Sequence, residues 1–178
     1  VLNPDIRLQS MNLHHLIDYA RRNYNAICFD LSGNLEKYAL EVMHESRRIF
    51  LVCTSEPCSL YLAREKVQYL NRMDLGDRVT VLLNRHQKRF GLSVEEVESV
   101  VGAPVLISFP NDYARLNRSI TQGSAVDPAS EVGRRCAALA SYMLEQKQPL
   151  PQPARRRFVE YFAISPARFT LENHGLGR

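Results

Sequence analysis

Several things this chain of 178 residues has little of narrow its reading at once. It has eight glycines, none followed by lysine, so no GxxxxGK[ST] phosphate loop lies within it. It has four cysteines and no CxxC or Cys/His ligand spacing, which argues against a zinc site or a redox dithiol. Cys28 and Cys53 fall inside apolar patterns where a thiol packs as a small hydrophobe, and Cys58 and Cys136 stand alone. Reduced, buried thiols of a cytosolic protein are the expectation. No apolar run approaches the 18 residues of a membrane span. The opening VLNPDIRLQS has neither the charged leader nor the apolar centre of a signal peptide and reads like the middle of a protein. The histidines are poorly placed for metal. His14 and His15 are adjacent and would point about 100° apart on a helix, while His44 and His86 have no thiol or carboxylate at ligand spacing.

What is present is ordinary globular composition, with 45% hydrophobic and 24% charged residues and length enough for one real core. The net charge of +4 is modest and dispersed, which permits contact with anionic lipid or nucleic acid without requiring it. Apolar runs alternate with helical stripes. Leu13, Leu16, Ile17, Ala20 and Tyr24 recur at helical spacing behind Ser10 or Asn12, and the strand AICFDL follows. Leu35, Tyr38, Ala39, Val42 and Met43 make a second stripe before the strand RIFLVCT. Pro57 suits a first helical turn, with Leu60, Ala63, Val67 and Leu70 as its buried face, and RVTVLLN comes next.

Ser93 and Glu96 form a capping box ahead of Val94, Val97, Val100 and Val101. Pro104 opens the strand PVLISF, and Asn111 or Asp112 caps a helix carrying Leu116 and Ile120. A last helix over 130–146 would turn Val132, Cys136, Leu139, Ala140 and Met143 inward. Strands apolar on both faces, each followed by an amphipathic helix, predict an open, mostly parallel α/β sheet covered on both sides, with right-handed crossovers. The expected division is a domain over 1–147 and, over 148–178, a linker stiffened by Pro149, Pro151 and Pro153 with a basic tail.

In such sheets ligands bind at the carboxyl ends of the strands. The polar groups there are Asp30, Ser32 and Gly33; Thr54, Ser55 and Glu56; Asn84 and Arg85; and Pro110, Asn111 and Asp112. Each alone is also ordinary cap or turn chemistry, and only the joint arrangement favours a site.

That arrangement carries a resemblance. The segments YNAICFDLSGNLE, RIFLVCTSEPCSLYLAREKVQYL and VTVLLNRHQKRFGLSVEEVESVVGAPVLISFPNDYARLNRSITQGSAV resemble the MinD/ParA family of P-loop ATPases, especially its CpaE/TadZ branch of pilus assembly, over about residues 20–144. The resemblance implies a P-loop, Rossmann-like fold, incomplete on its N-terminal side, that takes ATP or ADP with Mg²⁺. It implies that Asp30 is the Walker B carboxylate acting on Mg²⁺, and that Ser32 and Gly33 belong to the segment sensing the γ-phosphate. Asn84, with Arg85 after it, would read the adenine edge, and Pro110, Asn111 and Asp112 would pack on the base. Thr54 and Glu56 fall in a conformationally sensitive loop near a dimer contact.

The chain departs from the family in lacking the deviant Walker A loop, whose strand would precede Val1. This stretch alone is therefore not expected to hydrolyse ATP. The implied protein is a cytoplasmic, homodimeric switch serving a pilus-assembly or secretion apparatus, at the inner face of the membrane or the cell pole. Its alternative is a non-catalytic scaffold that binds partner proteins. A DNA-partitioning role is disfavoured by the dispersed charge. In the tail, Phe158, Val159, Tyr161 and Phe162 would share a helix face opposite Arg156, Arg157 and Glu160. Residues 155–169 then serve either as a peripheral membrane contact or as a helix packed on protein.

Overall fold

The structure, a computed structural model, describes residues 10–87 and 91–144. The linker, the basic tail and the end of the last expected helix lie outside the described residues.

Three parallel strands form the sheet in the order β1-β2-β3: β1 Ile49–Thr54, β2 Val79–His86 and β3 Val105–Pro110. Between them run α3 Pro57–Arg72 and α4 Val94–Val101. Two successive crossovers that advance the same way along a sheet, both right-handed, place their helices on one face. Accordingly α3 and α4 pack on each other, α3 on β1 and α4 on β3. Leu60, Ala63, Val67 and Leu70 are all buried, as their spacing predicts. Burying a side chain as completely as Leu70 contributes roughly 1.5–3 kcal/mol. Val79, Val81 and Leu83 of the central strand are fully enclosed.

Local chemistry sets the ends of these helices. Pro57 occupies the first turn of α3. Ser93 and Glu96 close the capping box of α4, with Ser93 N–H donating to Glu96 Oε2 at 2.7 Å and Glu96 N–H to Ser93 Oγ at 3.2 Å. Gly102 ends that helix at φ 77°, a left-handed conformation that disfavours a β-carbon. Arg78 Nη1 donates to the carbonyls of His44 (2.9 Å) and Ser46 (3.0 Å), tying the start of β2 to the end of α2, Lys37–Glu45. α5, Tyr113–Thr121, follows β3, and α6, Glu131–Leu144, packs on β3 without joining the α3–α4 layer. Arg48, just before β1, stacks 4.0 Å over the Tyr142 ring of α6 and donates to its carbonyl.

The expected strand AICFDL is not a strand. Residues 26–31 join no ladder, because among the described residues no strand lies beside them, and a strand exists only by pairing. Their exposure alternates instead. Ala26, Cys28 and Asp30 are exposed, whereas Phe29 and Leu31 pack against Leu13 and Ile17 of α1, Ser10–Asn23, and Val42 of α2. The segment is thus covered on one side, not both. The outer edge of β1 is likewise unpaired among the described residues, and Val52 in its middle is 61% exposed.

Other stripes are narrower than their spacing suggests. Leu16 and Ile120 are exposed, the latter at 77%, and Cys136 and Ala140 face outward on α6. Of the cysteines only Cys53 is buried; burial raises its thiol pKa, and Cys28, Cys58 and Cys136 are exposed.

Candidate functional site

The carboxyl ends of the three strands share one rim, as parallel pairing requires. Thr54 sits beside Asn84 in register, and His86 beside Pro110. Between Leu83 paired with Ser108 and His86 paired with Pro110, β2 spends three steps where β3 spends two. The extra residue is a β-bulge, and Arg85 carries it at φ 53°, in the left-handed region. Two residues apart on a regular strand share a face; one inserted residue reverses that alternation. Asn84 and His86 therefore part company.

A cavity of about 280 Å³ opens at this rim, lined by His86, Gln87, Ser108, Pro110, Asn111 and Glu131. The lining mixes one ring and one proline face with two amides, a hydroxyl and a carboxylate, a composition suited to a flat polar heterocycle. Glu131 reaches it from the first turn of α6. The loop before α6 is fixed by Ser130, whose hydroxyl donates to the Asp127 carbonyl at 2.6 Å and accepts from Gly133 N–H at 3.0 Å. Gly133 is pressed so closely on that loop that a β-carbon would meet the Asp127 carbonyl oxygen and lie 2.8 Å from Pro128 Cα.

Of the residues singled out from the sequence, Pro110 and Asn111 line the cavity. Asn84 stands at the rim outside the lining, its Oδ1 accepting from Arg85 N–H at 2.9 Å. Arg85 itself is exposed. Asp112 caps α5, accepting from Arg115 N–H at 3.3 Å and pairing with the Arg115 guanidinium at 3.3 Å. Thr54 N–H donates to Ser59 Oγ at 3.0 Å, while Glu56 precedes α3 without a side-chain cap bond.

Asp30, Ser32 and Gly33 are exposed and lie outside the three-stranded sheet. A β-carbon on Gly33 would come 3.2 Å from Lys66 Nζ, so this segment borders the middle of α3. Sequence reasoning passed over four lining residues: His86, Gln87, Ser108 and Glu131. From the sequence His86 is weighed only as a metal ligand, and nothing in the letters announces a bulge at an arginine.

The cavity is large enough for a base and too small for a whole nucleoside triphosphate. Among the described residues there is no group of three His, Cys, Asp or Glu able to hold a metal. A Mg²⁺ ion at Asp30 would therefore depend on phosphate oxygens and water for the rest of its shell, the usual habit of that ion. The residues present fit the base end of a nucleotide.

Parallel strands joined by helices, with a cavity at their carboxyl ends, define an open parallel α/β fold. More particularly, the chain has the fold of MinD/ParA-type P-loop ATPases. It superimposes on a ParA family ATPase from Chlorobium tepidum TLS with TM-score 0.68 and 21% identity, over 75% of this chain and 57% of that one. The MinD cell division protein of Aquifex aeolicus gives TM-score 0.68 and 18% identity, over 80% and 63% of the two chains. The septum site-determining protein MinD of Pyrococcus horikoshii OT3, complexed with Mg-ADP, gives 0.61 and 21%, over 75% and 56%. The chain thus spans less than two thirds of the length of these neighbours. No family model matches the sequence, and no curated protein does.

Proposed function

We propose that this chain carries the base-binding side of an ATP-dependent switch of the MinD/ParA type. The observation that carries the reading is the cavity at the carboxyl ends of β2 and β3, which Pro110 and Asn111 line where the family resemblance puts the base. Pro110 and Asn111 would hold the adenine, and Asn84 would read its edge from the rim. Asp30 would act on Mg²⁺ directly or through water, and Ser32–Gly33 would sense the γ-phosphate. Bound ATP supplies the phosphate charge and the hydrolysable bond; this chain's residues bind the base and report on the phosphate.

Backbone pairing supports a larger sheet. Among the described residues the outer edge of β1 and the segment 26–31 join no ladder, and a further strand would satisfy backbone groups of this kind. In the family such a strand is the one leading into the phosphate loop. We further propose nucleotide-dependent homodimerisation, with Thr54 and Glu56 near the contact, in service of a CpaE/TadZ-like pilus-assembly or secretion apparatus. The division at 147/148, a cytoplasmic location and the membrane contact through 155–169 belong to the same proposal. No helix among the described residues is long and apolar enough to cross a membrane.

A non-catalytic scaffold is the second reading, favoured by the absence of any Gly-Lys pair in the sequence. Calorimetry of the full-length polypeptide with ATP and GTP, with and without Mg²⁺, tests the first. The switch predicts Mg²⁺-enhanced binding of ATP over GTP, with the adenine preference reduced in Asn84→Ala. It also predicts phosphate release that Asp30→Ala abolishes while leaving the circular dichroism spectrum intact. Equal affinity for both nucleotides removes Asn84 from base recognition. ATP binding without turnover supports the scaffold.

A further inference from the structure

We infer that His86 is a base-reading residue of this cavity, donating a hydrogen bond from Nε2 to a ring nitrogen of a purine nucleoside. The inference rests on the reading of the cavity as a base site and goes beyond it in naming the donor. His86 ends β2 beside Pro110, and the bulge at Arg85 turns it into the cavity lining while leaving Asn84 outside. Its Nδ1 is shut off from solvent and has no hydrogen-bond partner among the described residues. Of the two ring nitrogens only Nε2 can therefore meet a ligand.

The tautomer follows from the same burial. A buried N–H without an acceptor is among the rarest defects in native structures, whereas an unused lone pair is tolerated more readily. The hydrogen therefore sits on Nε2, an assignment made from hydrogen bonding because the position of a proton is not itself seen. Nε2–H is a donor. The N1, N3 and N7 atoms of adenine are acceptors only, and a donor facing a purine ring is what they require. Around it, Asn111 offers both an acceptor and a donor, and Ser108 a hydroxyl, for the remaining polar edge. The cavity holds a base without its phosphates, so a nucleoside is the probe.

The test is a thermodynamic cycle on the full chain, with affinities read by NMR titration. Wild type and His86→Phe are each titrated with adenosine and with its 1-deaza, 3-deaza and 7-deaza analogues. Phenylalanine keeps the ring and costs the fold no hydrogen bond, since Nδ1 makes none among the described residues. His86→Gln keeps a donor and serves as the conservative rescue. For the wild type we expect a loss of roughly threefold to tenfold with one analogue, the worth of one hydrogen bond. His86→Phe should lose the same factor for adenosine and then be indifferent to that analogue, because the two changes delete one interaction. His86→Gln should recover part of the loss.

Adenosine binding by a folded His86→Phe that equals the wild type, or losses that multiply, overturns the inference and leaves the base site standing. Failure of the folded wild type to bind adenosine removes both.

Discussion

The bulge at Arg85 can be tested by substitution at that residue alone. Its φ of 53° lies in a region that costs an L-residue roughly 1–2 kcal/mol. Arg85 is exposed, so replacing its side chain gives up little packing. Its N–H bond to Asn84 Oδ1 survives any change except proline. In Arg85→Gly the left-handed strain disappears, offset by about 0.5–1 kcal/mol of added freedom in the unfolded chain. The net expectation is neutral to about 1 kcal/mol more stable than wild type.

Arg85→Val moves the other way, because a β-branched side chain tolerates this backbone worst. The two variants should differ by about 2 kcal/mol in urea unfolding, or roughly 4–8 °C in Tm for a chain of this size. If Arg85→Val proves as stable as Arg85→Gly, the residue is not left-handed, the bulge is absent, and the placement of His86 falls with it.

Two further outcomes follow from close contacts and from charge. Gly133→Ala, which on helix propensity alone should stabilise α6, is expected to destabilise by about 1–3 kcal/mol in urea titration, because the new carbon meets the backbone of Asp127 and Pro128; a neutral or stabilising result refutes that contact. His44 is held below its ordinary 6.5 first by burial and then by the Arg78 guanidinium, against the opposing pull of Glu45 and Asp74. Below pH 6.5 the unfolded chain then binds more protons than the folded one, so stability present above that pH declines as the solution is acidified. Urea midpoints at pH 7.5 and 5.5 should show the decline, and His44→Gln should shrink it.

The sequence exposed most of what local chemistry decides. The burial of Leu60, Ala63, Val67 and Leu70, the Ser93–Glu96 box, the Asp112 cap and all three paired strands can be read from spacing and side-chain type. It misleads where neighbours decide. The run AICFDL has every apolar mark of a buried strand, yet pairing needs a second backbone and none lies beside it among the described residues. Ile120 and Cys136 sit on correctly spaced stripes yet are exposed, because spacing marks a stripe without deciding whether another element covers it.

The site divides in the same way. Pro110 and Asn111 are legible because they fall where an apolar run gives way to turn residues, and they line the cavity. Asn84, expected at the base, stands outside the lining and His86, for which no role was expected, enters it, because one extra residue at an arginine, a type with no special liking for the left-handed region, inverts the alternation between them.

The central claim is that a purine base occupies the rim where β2 and β3 end. Titrating ¹⁵N-labelled chain with adenosine and following backbone amides tests it most directly. The largest shifts should fall on His86, Gln87, Ser108, Asn111 and Glu131, with smaller ones at Asn84. Shifts centred instead on Arg115, Arg118 and Ser124, which line a separate cavity, or no shifts at saturating nucleoside, would contradict it.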